Sequence, residues 1–301
     1  MKRTTAKRGL ALMLSTVLFL TLPFLFTQEV SAASKTKTFY VVTKIQSTYT
    51  NTDGSTEKNV TTHTYDKNGM LKSTVSKGYT PYYKIVYTRN SAGIVTASKT
   101  YNEKGKQTGA TINKVKNGNI IKSTTKQIDP KTGKKKTSPT TSYTYKKGKC
   151  VKGVTKGSDG SKSTDTYYGN GIIKQSVYES PNSKYVYNYD KKGRLKSSTS
   201  SYTYNDQTSN SKTTYIYKET RNKHGDPVKS VETEKTTSDD GITTTNVFTN
   251  NYKYTYKSGR VVKVVNTYKT KFGDSTYTGK NTTAYKYKAV KVPQKYWKFF
   301  E

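Results

Sequence analysis

After the first thirty-odd residues, β-branched and aromatic side chains alternate with polar ones in short runs, and a polar turn containing glycine follows each run. A period of two is the signature of half-buried strands. Helix is disfavoured, because Leu, Ala, Glu and Met are scarce while Thr, Ser, Val and Tyr abound. The clearest unit is Tyr185-Val186-Tyr187-Asn188-Tyr189-Asp190-Lys191-Lys192-Gly193-Arg194-Leu195-Lys196-Ser197. Related units turn at Gly69, Gly93, Gly118, Gly148, Gly171, Gly225 and Gly259, with neighbouring turn glycines 22 to 34 residues apart. That spacing is two strands and two turns, and glycine supplies the positive φ of a tight hairpin.

The links between units also read as turns: Thr52-Asp53-Gly54-Ser55, Ser158-Asp159-Gly160-Ser161, Pro181-Asn182, Asp206 to Asn210, Asp239-Asp240-Gly241 and Gly273-Asp274. Strand–turn–strand throughout predicts an all-β fold, an antiparallel meander of about eight Gly-turn hairpins forming a coiled or rolled repeat sheet. So many strands do not stay flat with bare edges. Whether the sheet closes is left open by the pattern.

Tyr189-Asp190-Lys191-Lys192-Gly193-Arg194-Leu195 resembles the core of the YD repeat of bacterial RHS-type secreted and wall-associated proteins, and Tyr65-Asp66-Lys67-Asn68-Gly69-Met70-Leu71 is the second match. The other six units keep the glycine and the alternation but lose the Asp or the Arg-Leu pair. The likeness spans most of residues 60–265. It implies hairpin architecture and a surface setting rather than an activity, since the chain is too short for that family's closed shell.

Charge and address sharpen the picture. Met1 to Gly9 carries Lys2, Arg3, Lys7 and Arg8, an apolar run from Leu10 to Phe26 follows, and Val30-Ser31-Ala32-Ala33 is small-residue rich. This predicts a secretory signal peptide over 1–33, cut after Ala32 or Ala33; an uncleaved anchor is the competing reading, disfavoured by Pro23 and the V-x-A ending. A hairpin domain over 34–290 and an aromatic tail over 291–301 would remain. The tail is read as a cover for the open end of the sheet, with a membrane-contacting tail as the alternative. The chain carries 54 Lys+Arg against 19 Asp+Glu, a net +35, and losing the leader's four basic residues and Glu29 leaves +32. All 28 Tyr survive the cut, while few Leu do. The expected core is therefore thin and built on tyrosine rings.

Two histidines, His63 and His224, and the single Cys150 lie in no nucleophile or metal signature. Asp53, Asp159, Asp239, Asp240 and Asp274 sit where turns favour Asp for backbone reasons. No enzyme and no cofactor or metal are expected. The basic residues are nearly all Lys, which gives diffuse rather than bidentate attraction. An exported chain of this charge suits an anionic cell-wall polymer such as teichoic acid, or an acidic glycan; extracellular nucleic acid would be held the same way, without sequence preference. The densest run, Lys131, Lys134, Lys135 and Lys136 with Lys126 before it, is the candidate polyanion site. The plainer reading of the same lysines is that they keep a β-rich chain soluble. Tyr185, Tyr187 and Tyr189, and Tyr252, Tyr254 and Tyr256, each stack on one face of a strand. They serve as core or as an aromatic platform for sugars or bases. The expected function is thus an exported, non-catalytic, surface-associated binding or structural protein. The alternatives are a secreted enzyme or toxin component acting on carbohydrate or peptide, and a Tyr-lined carrier for a glycan or apolar ligand.

Overall fold

The hairpins form, and the cause is visible at their turns. In the computed structural model, which describes residues 36–300 except 52, 79–81, 158 and 205–206 (and no side chains at 136–138 or 204), Asp190 Oδ1 accepts the backbone N–H groups of Lys192 and Arg194, and Gly193 takes a φ of 80°. Asp66, Asn90 and Asn222 repeat this arrangement, each accepting two turn N–H groups. The signal-peptide segment lies outside the described residues.

The strands are β1 (Thr36–Thr50), β2 (Thr56–Tyr65), β3 (Leu71–Gly78), β4 (Tyr83–Arg89), β5 (Val95–Tyr101), β6 (Gln107–Lys116), β7 (Asn119–Ile128), β8 (Lys135–Lys146) and β9 (Lys149–Lys156). They continue with β10 (Lys162–Tyr167), β11 (Ile173–Ser180), β12 (Ser183–Tyr189), β13 (Leu195–Tyr204), β14 (Gln207–Arg221), β15 (Pro227–Ser238), β16 (Thr243–Lys257), β17 (Arg260–Phe272) and β18 (Ser275–Pro293). A 3-10 helix, Gln294–Phe299, follows β18. Each strand pairs antiparallel with the next, and β18 pairs back with β1 from Thr36↔Pro293 to Thr50↔Lys280.

The expected coiled or rolled repeat sheet is therefore corrected: the 18 strands close into an up-and-down barrel with no free edge. The eight glycine turns read from the sequence all lie at one end, and the links lie at the other. The correction comes from β1 and β18, which the repeat did not include and which seal the ring. One expected link also shortens, since β14 begins at Gln207 and takes up Gln207–Asn210 as strand.

Closure has a local cause. At all eight glycine turns the register slips beside the turn, at Tyr65, Arg89, Val115, Tyr145, Tyr167, Tyr189, Arg221 and Tyr256. A bulge raises right-handed twist and bends its strand, so the same curvature is added hairpin after hairpin at one end. The extra residue is left unpaired, and tyrosines donate to carbonyls near such slips, including the one between Val42 and Lys44 in the β1–β18 pair. Tyr65 donates its hydroxyl to Val42 O (2.6 Å), Tyr145 to Ile120 O (2.9 Å) and Tyr287 to Val261 O (2.8 Å), in each case one strand back.

Followed once round the ring, the register returns to β1 about 20 residues further along, which for 18 strands means a tilt of about 40° and a backbone radius of roughly 16 Å. Close backbone approaches link each strand only to its two ring neighbours. A barrel of this size is too wide for its side chains to fill. The one dense apolar cluster among the described residues lies at the foot of the β1–β18 seam. There Phe39, Val41, Met70, Val292, Tyr296 and Phe300 bury one another, with Tyr65, Val290 and Trp297 against them. The C-terminal segment thus packs onto the Gly69 and Gly93 turns, and Tyr296 donates to Ser91 O. β18 runs on to Pro293 before the chain turns.

Candidate functional site

The two faces of the barrel wall have different chemistry. Right-handed strand twist makes each strand climb the barrel as a right-handed helix, so the side on which a residue's own N–H and C=O lie tells which way its side chain points. Asn51 bonds towards Ser55 across the β1–β2 turn, which places Tyr49, Ser47 and Ile45, in phase with it, on the inner face. The register carries that face round the ring. Inside stand Tyr143 and Tyr145, Tyr185 and Tyr187, Tyr215 and Tyr217, Tyr252, Tyr254 and Tyr256, and Tyr285 and Tyr287, among Ser, Thr and Asn. Thr61, Ser76, Thr213, Asn266, Thr270, Asn281 and Thr283 on this face are buried. Outside, Lys99, Lys114, Lys212, Lys253, Lys269 and Lys286 occupy the alternate positions and are exposed.

The predicted platform tyrosines fall into two ladders, on β12 and on β16, four strands apart on the inner wall. Tyr185 and Tyr187 stack with centroids 6.5 Å apart and planes at 9°. On β16 the spacing is 6.4 Å from Tyr252 to Tyr254 and 6.1 Å from Tyr254 to Tyr256, with tilts of 32° and 28°. Burial raises the hydroxyl pKa of Tyr187, Tyr189, Tyr252, Tyr254 and Tyr256, so the rings stay neutral at physiological pH. Tyr189 also accepts the Tyr168 hydroxyl at its carbonyl, and Tyr256 donates to Asp226.

The predicted lysines are brought together at the tip of the β7–β8 hairpin, at the end opposite the glycine turns. Lys131 and Lys134 sit in the turn, where Asp129 Oδ1 accepts the Lys131 N–H, and Lys126, Lys131, Lys134 and Lys135 are exposed. In the ladder Lys136 pairs with Gln127 and Lys135 with Ile128, beside Lys126 with Thr137.

Residues weighed for catalysis take structural places. His63 Nδ1 lies 3.1 Å from Thr74 Oγ1, and burial lowers its pKa. The His224 ring packs 4.5 Å from Tyr256 in a turn. Burial pushes the Cys150 thiol up, away from a reactive thiolate. Asp53, Asp159 and Asp240 are held low by hydroxyl and backbone N–H groups of their own turns. Among the described residues no three His, Cys, Asp or Glu side chains gather as a metal site.

Sequence reading missed a set of inward polar residues. Glu232 and Glu234 sit on the inner face of β15, where Tyr217 donates to Glu232 Oε1 (3.1 Å) and Asn246 to Glu234 Oε2 (3.3 Å), and burial raises both carboxyl pKa values. Across the next strands Asn266 Nδ2 donates to Asn250 Oδ1 (3.0 Å), and Asn266 pairs with Asn281. Strand alternation held the signal, since these residues share phase with the tyrosines beside them.

No helix among the described residues is long and apolar enough to cross a membrane. The wall itself bears on strand insertion: a membrane barrel presents an apolar band about 25 Å tall to lipid. Here lysines punctuate the outer face, and Ile112 and Ile216 stand singly. No family model and no curated protein matches the chain. Among solved structures, a porin-like protein from Bacteroides uniformis is similar at 12% identity and a TM-score of 0.30, over 82% of this chain and 96% of that one. The MucA/MucB complex of Pseudomonas aeruginosa is similar at 9% identity and a TM-score of 0.10, over 83% and 89%. The barrel is defined by its own strand register.

Proposed function

We propose that this chain is an exported, non-catalytic β-barrel held at the cell surface by an anionic polymer along its lysine-coated outer wall. The observation that carries the reading is segregation. Lysines take the outward positions on strand after strand, while the inward positions carry tyrosines, hydroxyls, amides and the carboxylates of Asp165, Glu232 and Glu234. A cylinder charged on its outside attracts a flexible polyanion from every direction, through many weak contacts. The β7–β8 tip adds a local concentration of charge at one end. The partner in view is a wall teichoic acid or a similar phosphate- or carboxylate-bearing polymer.

The test is co-sedimentation of the exported chain with purified cell walls, with and without teichoic acid, across a salt series. Binding should need the polyanion and fall steeply with salt as contacts are screened. Replacing Lys126, Lys131, Lys134, Lys135 and Lys136 together should weaken it more than replacing five outward lysines elsewhere. Equal losses would leave total charge as the only determinant, and salt-resistant binding would sink the electrostatic reading.

A further inference from the structure

We propose that the inner wall over β16 to β18 is a binding surface for neutral oligosaccharide chains. This site is separate from the lysine-coated outer face and does not depend on it.

Three observations meet there. The rings of Tyr252, Tyr254 and Tyr256 form a ladder facing a lumen of roughly 16 Å backbone radius. Beside the ladder, Asn250, Asn266 and Asn281 lie in a row across three strands. Asn266 and Asn281 are only 8% and 6% exposed, and the Oδ1 atom of each is buried without a hydrogen-bond donor. Buried amide oxygens are ordinarily bonded, so two adjacent exceptions on one face need an explanation. By register Tyr252 stands opposite Asn266 and Tyr49 opposite Asn281. Ligand access to the oxygens requires these rings to rotate aside.

The chemistry selects the ligand. It must present flat C–H faces to stack on tyrosine and O–H or N–H donors to reach the unpaired oxygens. A polyanion is disfavoured, because Glu232 and Glu234 face inward on the neighbouring strand. A polyamine would be drawn to those carboxylates rather than to rings and amides. A pyranose chain supplies stacking faces and donors without net charge, so the positive field of the outer wall does not oppose its entry.

The test uses the full exported chain with cellohexaose, chitohexaose and maltohexaose as probes, by calorimetry at about 0.5 M salt, where surface electrostatics is largely screened. At least one should bind with a Kd of about 1 mM or tighter. Tyr254→Leu should weaken that binding about tenfold. Asn281→Leu should weaken it too while raising Tm, because it removes a buried unpaired oxygen; a purely structural Asn281 would not show both effects. In the unaltered protein, the bound sugar should protect Tyr252 and Tyr254 from nitration, read by mass spectrometry. Failure of all three sugars, unchanged affinity in a folded Tyr254→Leu variant, or binding of spermidine in their place would overturn the proposal. Wall retention lost with salt while sugar binding persists would separate this site from the outer-face reading.

Discussion

Phe300→Ala probes the foot of the seam that closes the barrel. Phe300 is 5% exposed, its ring centroid lies 4.9 Å from that of Phe39, and it packs against Gly69 of the β2–β3 turn. Truncating a fully buried Phe costs about 3–5 kcal/mol. Here the cluster sits at the chain's end and can partly collapse, so the expected loss is about 3 kcal/mol, of which about 1 kcal/mol is the ring pair. With a urea m-value of about 3 kcal/mol per molar, the midpoint should fall by about 1 M. Trp297 reports the foot directly, since its indole donates to Val292 O at 2.9 Å, while far-UV circular dichroism reports the sheet. Both transitions should move together, because this cluster anchors both partners of the β1–β18 pair. A loss below about 1 kcal/mol, or a tryptophan transition that shifts while the dichroism does not, would refute the argument that the foot secures closure.

Two further outcomes follow from the same geometry. Gly69→Ala and Gly225→Ala both place a side chain at positive φ (77° and 83°), at about 1–2 kcal/mol each. A Cβ at Gly69 would also stand 2.9 Å from Val292, whereas Gly225 has open space; equilibrium unfolding should find Gly69→Ala costlier by at least about 1 kcal/mol, and equal costs would deny the packing. Glu232 and Glu234 have folded pKa values raised by burial above their ordinary 4.5. The folded state holds protons that the unfolded state releases, so their stabilisation is full below pH 4.5 and is lost as pH rises through the raised values. Glu232→Gln with Glu234→Gln should flatten Tm against pH on that limb and raise Tm at neutral pH, and an unchanged slope would place the acids in water.

Local chemistry was legible wherever it repeats within a dozen residues. The Tyr-Asp-x-x-Gly unit reads directly as strand, two-N–H acceptor and left-handed turn, and Asp190, Gly193, Asp66 and Gly69 play those parts. Alternation also paired the tyrosines on one face of each strand. It is equally satisfied by a face that is buried core and by one that lines a wide lumen, which is why Tyr185 and Tyr252 kept two readings. Glu232, Asn266 and Asn281 were overlooked because singly they resemble any polar strand residue, and only the register with neighbouring strands makes them a surface.

Strand, turn and phase are set locally, because they depend on φ preferences, side-chain branching and hydrogen bonds between near neighbours. Closure joins local bends to a long-range pairing. It depends on curvature summed over the bulged hairpins and on the pairing of Thr36 with Pro293, two residues no local pattern connects. Once the ring shuts, the same alternation acquires an inside and an outside, and the lysines and tyrosines part company.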